Sequence, residues 1–320
     1  MKTTTLLLAV TLLPMIAQAD IIRVNNLGFG ANYTSVATAV AASNPGDTIH
    51  IEGSPQGYGN LTINSTWPLV IIGNGYFLGG AENTGLQAYE VETAVGNLIL
   101  SAGTEGTVVM GIHSVANVSI LSSDVTFAHN RVDGLFSMNS GTGRVIAQNY
   151  IAIVDIGASS VFVPDLTITN NYIGTIIIGP TNAGTFTHNV VLGNASMNNL
   201  DCSNNVFVSG VVTQGTGNTF TNNIFWNNLA FITGNGNLES EVMTDVFAYT
   251  GSTDGQWRLM VGSPALGAGT FGTDIGMYGG STPYVEGGIA EIPTIYELAT
   301  PGTAIQGETI NVTLSTRSNN

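Results

Sequence analysis

The chain has 320 residues, only 8% of them charged, with 21 acidic against 6 basic side chains and a formal net charge of −15. Such a surface repels nucleic acid and anionic lipid, and it disfavours polyanionic glycans unless calcium bridges the charges. One cysteine rules out an intrachain disulfide framework, and 41 glycines fit a fold with many tight turns.

In chain order, Lys2, an apolar run from Leu6 to Ile16 and Ala17-Gln18-Ala19 predict a secretory signal peptide over 1–19, cleaved before Asp20. The run is too short to span a bilayer, no second long apolar run follows, and no membrane span is expected. The expected location is outside the cell or on the surface of a bacterium. Without Lys2, five basic residues face 21 acidic ones, a net charge of −16. Residues 20–46 read as an N-terminal cap. Within it, Val36, Ala39, Val40 and Ala41 suit a short helix between Tyr33 and Ser43 that covers the first coil. Residues 47–125 hold less regular strands, including Leu69–Gly73 and Asn97–Leu100, and a long loop from Phe77 to Thr93 with Glu82, Glu90 and Glu92.

Residues 126–230 carry a repeat. Asn130, Asn149, Asn171, Asn189, Asn205 and Asn223 follow one another at steps of 19, 22, 18, 16 and 18 residues. Three residues before them stand Phe127, Ile146, Ile168, Phe186, Cys202 and Phe220. Two after them stand Val132, Ile151, Ile173, Val191, Phe207 and Phe225. Positions four and two before each Asn are mostly small or hydroxylated, as in Thr167/Thr169 and Thr185/Thr187. Apolar and small polar residues thus alternate with period two, which is strand patterning. A step of about 18 residues is too short for a strand, a crossover helix and a second strand. It suits one coil of a solenoid, with the Asn at a bend, in the left-handed backbone region, its side chain bonding to the Asn of the next coil. Cys202 then points inward as a small buried hydrophobe. Residues 231–285 close the solenoid. Residues 286–320, with strand-like runs at 294–298 and 309–315, read as a β appendage, a second cap or a sorting tail.

The Asn-centred coils, with Asn44-Pro45-Gly46-Asp47-Thr48-Ile49-His50-Ile51 ahead of them and Gly262–Gly269 plus Gly272–Gly276 behind, resemble the pectate-lyase-like superfamily of right-handed parallel β-helices. The resemblance covers most of residues 20–285. It implies an all-β, single-stranded right-handed parallel β-helix of nine or ten coils with a short N-terminal capping helix. Family members that cleave pectin use calcium, a basic residue or an aspartate cluster, and their Gly-His-Gly and Arg-x-Lys signatures have no match here. After processing no Lys remains, and the arginines are Arg23, Arg131, Arg144, Arg258 and Arg317.

The catalytic candidates are Asp124, His129, Arg131, Asp133 and Arg144, whose carboxylates, imidazole and guanidinium groups could serve acid–base or lyase chemistry. His50 and His113 have no spaced partner, so no zinc site is predicted. Calcium is the one conceivable cofactor, through Glu82, Glu90, Glu92 or Asp/Glu pairs elsewhere, although no ligand loop of known spacing occurs. Thr167, Thr169, Thr185, Thr187, Thr219 and Thr221 should stack into a hydroxyl array, similar to the ice-binding face of some β-helical antifreeze proteins and interrupted at Asp201/Ser203, Val145/Ala147 and Ala128. Tyr150, Tyr172 and Trp226 are expected at the surface, where they can stack on sugars. The leading expectation is a non-catalytic glycan-binding, adhesive or structural module with a polysaccharide or cell-surface partner. A polysaccharide lyase or glycosidase and an ice-binding protein are the alternatives.

Overall fold

Period-two alternation with a step of about 18 residues folds, in a computed structural model, into stacked parallel strands. The described residues are 19–157, 161–229, 231–232, 234–303 and 305–319; the predicted signal peptide, apart from Ala19, lies outside them. Ten strands line one face in the order Ile21–Val24, Thr48–Ile51, Val70–Ile72, Val108–Met110, Thr126–Ala128, Val145–Ala147, Leu166–Thr169, Gly184–Thr187, Leu200–Ser203 and Thr219–Thr221. Their register puts Phe127, Ile146, Ile168, Phe186, Cys202 and Phe220 in one line.

The second sheet bends. Arg131–Met138, Tyr150–Ile156 and Tyr172–Ile178 run through the bend, where the register slips between Val132 and Leu135. Later coils break there into separate strands such as Val190–Val191 and Ala195–Met197. The bend brings successive backbones together: a Cβ on Gly174 would stand 2.3 Å from the Ala152 carbonyl oxygen, so glycine is required. The result is a right-handed parallel β-helix with three sides, the first sheet and the two limbs of the second.

All twelve apolar positions flanking the six Asn are buried, and they fill the interior with aligned stacks. The Phe207 and Phe225 rings stack at 4.7 Å and 2°. Each such side chain contributes about 1.5–3 kcal/mol of burial, offset largely by chain entropy. The capping helix spans Val36–Ala42 and turns Val36, Ala39 and Val40 onto the first coil. Asp47, 1% exposed, fixes the turn before the first regular coil by accepting from the backbone N–H groups of Asp20 and Asn44.

Closure differs from the expectation for 231–285. Only the start of that segment ends the helix, through Asn237 and the bridge of Leu238 to Ile224. The chain then reverses and runs back along the outside. Val246, Phe247, Trp257, Ile275 and Met277 pack on the outward row Tyr172, Val190, Val206 and Ile224, which makes a second hydrophobic core outside the coils. The last segment forms an antiparallel hairpin, Thr294–Ala299 with Thr313–Arg317, docked on the long loop through Ala88 N–H to Ile295 O and Arg317 to Leu86 O. Among the described residues no helix is long and apolar enough to cross a membrane.

Candidate functional site

The asparagines build an internal ladder. Each side-chain amide donates to the Oδ1 of the next rung, at 3.3, 3.0, 3.0, 3.0 and 2.9 Å from Asn130 to Asn223. Each Oδ1 from Asn149 on also accepts the backbone N–H of the rung before it, at 2.8–3.0 Å. All six are fully buried. A seventh rung, Asn237, extends the ladder at 3.1 Å; its step of 14 residues hid it from the repeat.

The expected backbone conformation is corrected by one residue. The left-handed residues are those before the ladder Asn: His129, Gln148, Asn170, His188, Asn204 and Asn222, with φ of 54–59°. The bend therefore frees the ladder Asn to turn its amide inward, and it turns the preceding side chain outward. Those outward groups hold the returning segment. Asn222 donates to Ala268 O, Asn204 accepts from Thr270 N–H, Asn170 donates to Met277 O and Gly279 O, and Gln148 donates to Pro283 O. The His188 ring lies 3.1–3.3 Å from where a Cβ on Gly280 would stand, a tight approach, and the φ of 77° at that position itself favours glycine. The polar planar residues before each Asn are thus docking points for the returning strap.

The catalytic candidates do not form one site. Arg144 and Asp124 flank the starts of first-sheet strands, whereas His129 follows the end of one and Arg131 and Asp133 lie on the second sheet. Arg144 is 1% exposed and gives its guanidinium to the carbonyl oxygens of Ser122, Asn139 and Ser140, which makes it a structural cation. His129 is buried beside Glu291, at 3.8 Å, and burial holds its pKa below the ordinary value. Among these candidates Arg131 and Asp133 form an ion pair, at 2.7 Å, and Asp124 acts on Arg144 through its charge.

A different cluster forms around that pair. His113 stands one strand below Arg131 and places Nδ1 2.6 Å from Glu92 and Nε2 2.8 Å from Asp133. The expectation that His113 has no spaced partner is thereby corrected for hydrogen bonding; its partners lie 21 and 20 residues away and only coil stacking brings them together. Burial opposes charging His113, but the bonds with Asp133 and Glu92 outweigh it and hold its pKa above the usual value. Burial likewise opposes charge on Glu92 and Asp133, and the bonds with His113 outweigh it and hold both carboxyls low. Arg131 also lies over the Phe77 ring at 4.2 Å. Among the described residues no group of three or more His, Cys, Asp or Glu side chains is placed to hold a metal ion.

No family model matches the chain, and no curated protein matches it.

The threonines do share one face. Thr167, Thr185 and Thr219 fall in one outward row, and Thr169, Thr187 and Thr221 in the next. Thr185 and Thr219 are exposed, and the other four are half-buried. The hydroxyls bond along the stack, Thr187 to Thr169 at 3.1 Å and Thr219 to Asp201 at 2.8 Å. Two of the aromatic candidates are corrected. Tyr150 and Tyr172 stack on each other at 4.1 Å under Trp257 and Phe77, and Tyr172 is 5% exposed. Trp226 stays exposed at 42%, with its indole N–H bound to Gly210 O.

Proposed function

We propose that the protein is an exported or cell-surface, non-catalytic β-helix that holds an extended, uncharged polysaccharide across the open face of its first sheet. The observation that carries this reading is the pair of outward rows of short hydroxyl side chains, broken only by Asp201 between Thr185 and Thr219, which repeat at about 4.8 Å on a flat parallel sheet. A regular row of donors and acceptors suits a polymer that repeats its own hydroxyls, and the acidic surface turns away polyanions. The Asn ladder, the Asn44–Ile51 turn and the Gly262–Gly276 segment support membership of the pectate-lyase-like superfamily, and the sequence of residues 1–19 supports export.

The test is retention of the purified protein on a panel of neutral and acidic polysaccharides, with and without calcium, read beside product formation. We expect retention on neutral polymers without products. Thr185→Tyr, on an exposed strand position, should reduce retention at least about ten-fold, a loss of about 1.4 kcal/mol, without a change in melting temperature. Equal retention by the variant would remove the face from the reading.

One observation favours a lyase or hydrolase as the second reading. Asp133 and Glu92 keep 36% and 26% of their side-chain surface open beside His113 and Arg131. Under that reading polysaccharide cleavage appears in the panel and disappears in Asp133→Ala and Arg131→Ala.

A further inference from the structure

The second outward row of the first sheet runs, by register, from Thr221 through Ser203, Thr187, Thr169, Ala147, Ala128, Met110 and Ile72 down to His50 and Arg23. At its lower end the face is no longer flat. The Thr294–Ala299 strand of the C-terminal hairpin and the loop around Tyr89 rise beside it and enclose a cavity of about 510 Å³. That size lies within the range of small-molecule sites, roughly 300–1,000 Å³.

The two walls differ in chemistry. On the sheet side stand Arg23, His50, Glu52 and Asn74. Arg23 Nε donates to Glu52 Oε1 at 2.6 Å, so the pair brings a donor group and an acceptor group side by side with their charges matched. Burial keeps His50 below its ordinary pKa, so at neutral pH its imidazole is uncharged, and its ring is hydrogen-bonded to the Asn74 side chain. On the hairpin side stand Ile292, Ile295 and Leu298. Tyr89, 51% exposed, lines the cavity too and offers an aromatic face.

A purely apolar ligand would strip water from the polar wall and return no hydrogen bonds. A fully hydroxylated ligand would waste the aliphatic wall. A charged ligand meets a guanidinium already neutralised by Glu52, inside a strongly acidic protein. We infer that this cavity is a subsite for a neutral sugar bearing a methyl group, N-acetylated or 6-deoxy, with its hydroxyls on Arg23, Glu52 and Asn74 and its methyl on Ile295 and Leu298. The hairpin is then a wall of a binding site. The inference deepens the glycan-binding reading and rests on it for the class of ligand, but it uses none of the threonines.

Calorimetric titration of the mature protein with N-acetylglucosamine, L-fucose and glucose tests it. At least one methyl-bearing sugar should bind about ten-fold or more tightly than glucose, and comparison of the first two tells which methyl the wall accepts. Tyr89→Ala, which removes the aromatic face, and Leu298→Trp, which fills the cavity from an exposed position, should each weaken that binding at least about ten-fold with the melting temperature unchanged. No binding of any of the three sugars, no preference over glucose, or binding untouched in both variants overturns the proposal. Polysaccharide retention without small-sugar binding would sink the subsite and leave the face intact. Small-sugar binding without retention would do the reverse.

Discussion

At the residue scale, the ladder asparagines and His113 carry the strongest consequences. Asn171 donates to Ile146 O, Thr169 O and Asn189 Oδ1, and it accepts from both nitrogens of Asn149. Removing it strands several buried polar groups, each worth about 1–3 kcal/mol when unpaired. Asn171→Ala should therefore destabilise the protein by about 3 kcal/mol or more in urea unfolding. Asn237→Ala, at the less buried end of the ladder, should cost less. The pH behaviour of His113 runs opposite to that of its buried relatives. Its folded pKa is raised, so its contribution is complete below the unfolded value of about 6.5 and fades as pH rises through the folded pKa. His50, His129 and His188 have lowered pKa values through burial, so their effect is a loss of stability as pH falls below about 6.5. Glu92 and Asp133 act from above the carboxylate range, and their contribution is lost as pH falls through their lowered folded values. Melting curves of the wild type and His113→Asn across pH 5–8 check this. The variant should lose most, relative to wild type, at the acid end of that range and least at the alkaline end.

At the scale of elements, the long loop and the returning strap are joined through one buried carboxylate. Asp254, fully buried, accepts from Asn83 Nδ2, Ser252 Oγ, Tyr284 OH and Gly287 N–H at 2.8–3.1 Å. Glu82 adds a second tie by accepting from Thr253 N–H and Oγ1–H. Asp254→Ala leaves these donors without an acceptor and should cost at least about 3 kcal/mol. Limited proteolysis should then cut first between residues 250 and 290, while the coils resist. Unchanged cleavage would mean that the strap is held mainly by its apolar contacts. The strap also explains what the sequence concealed. Period-two alternation made the regular coils readable, because Phe127, Ile146 and their successors repeat in register. The strap has no period. Its anchors, Trp257, Ile275 and Met277, are spaced irregularly, and their partners lie far away in the chain. The residue before each ladder Asn varies among His, Gln and Asn, because its task is to adopt one backbone conformation and bind passing amides, which several side chains can do. The cluster of Glu92, His113 and Asp133 was hidden for a related reason: each residue sits in a different coil, and Glu92 and His113 lie in the irregular part where the repeat gives no register.

At the scale of the whole molecule, the threonine face and the interior follow from the repeat, while the cavity at its lower end depends on a hairpin whose docking no local pattern announces. Residue classes on the first sheet change along the axis, from hydroxyls among the later coils to apolar side chains and then to the uncharged imidazole of His50 and the charged Arg23. One side of the solenoid therefore presents two chemistries along its length. The strap has a further consequence, for the order in which the molecule can be completed. From Ala268 to Tyr284 it visits the coils in reverse, from Asn222 down to Tyr76, and the bond between Tyr284 and Tyr76 joins residues 208 apart. Contacts of such long range form late, because the intervening chain must be ordered before they are rewarded. During synthesis the coil around Tyr76 lacks its ties to the strap until residues 253–254 and then Tyr284 have been made. The fastener of Tyr76 is thus made 208 residues after the residue it secures, and the early coils wait unfastened over that interval.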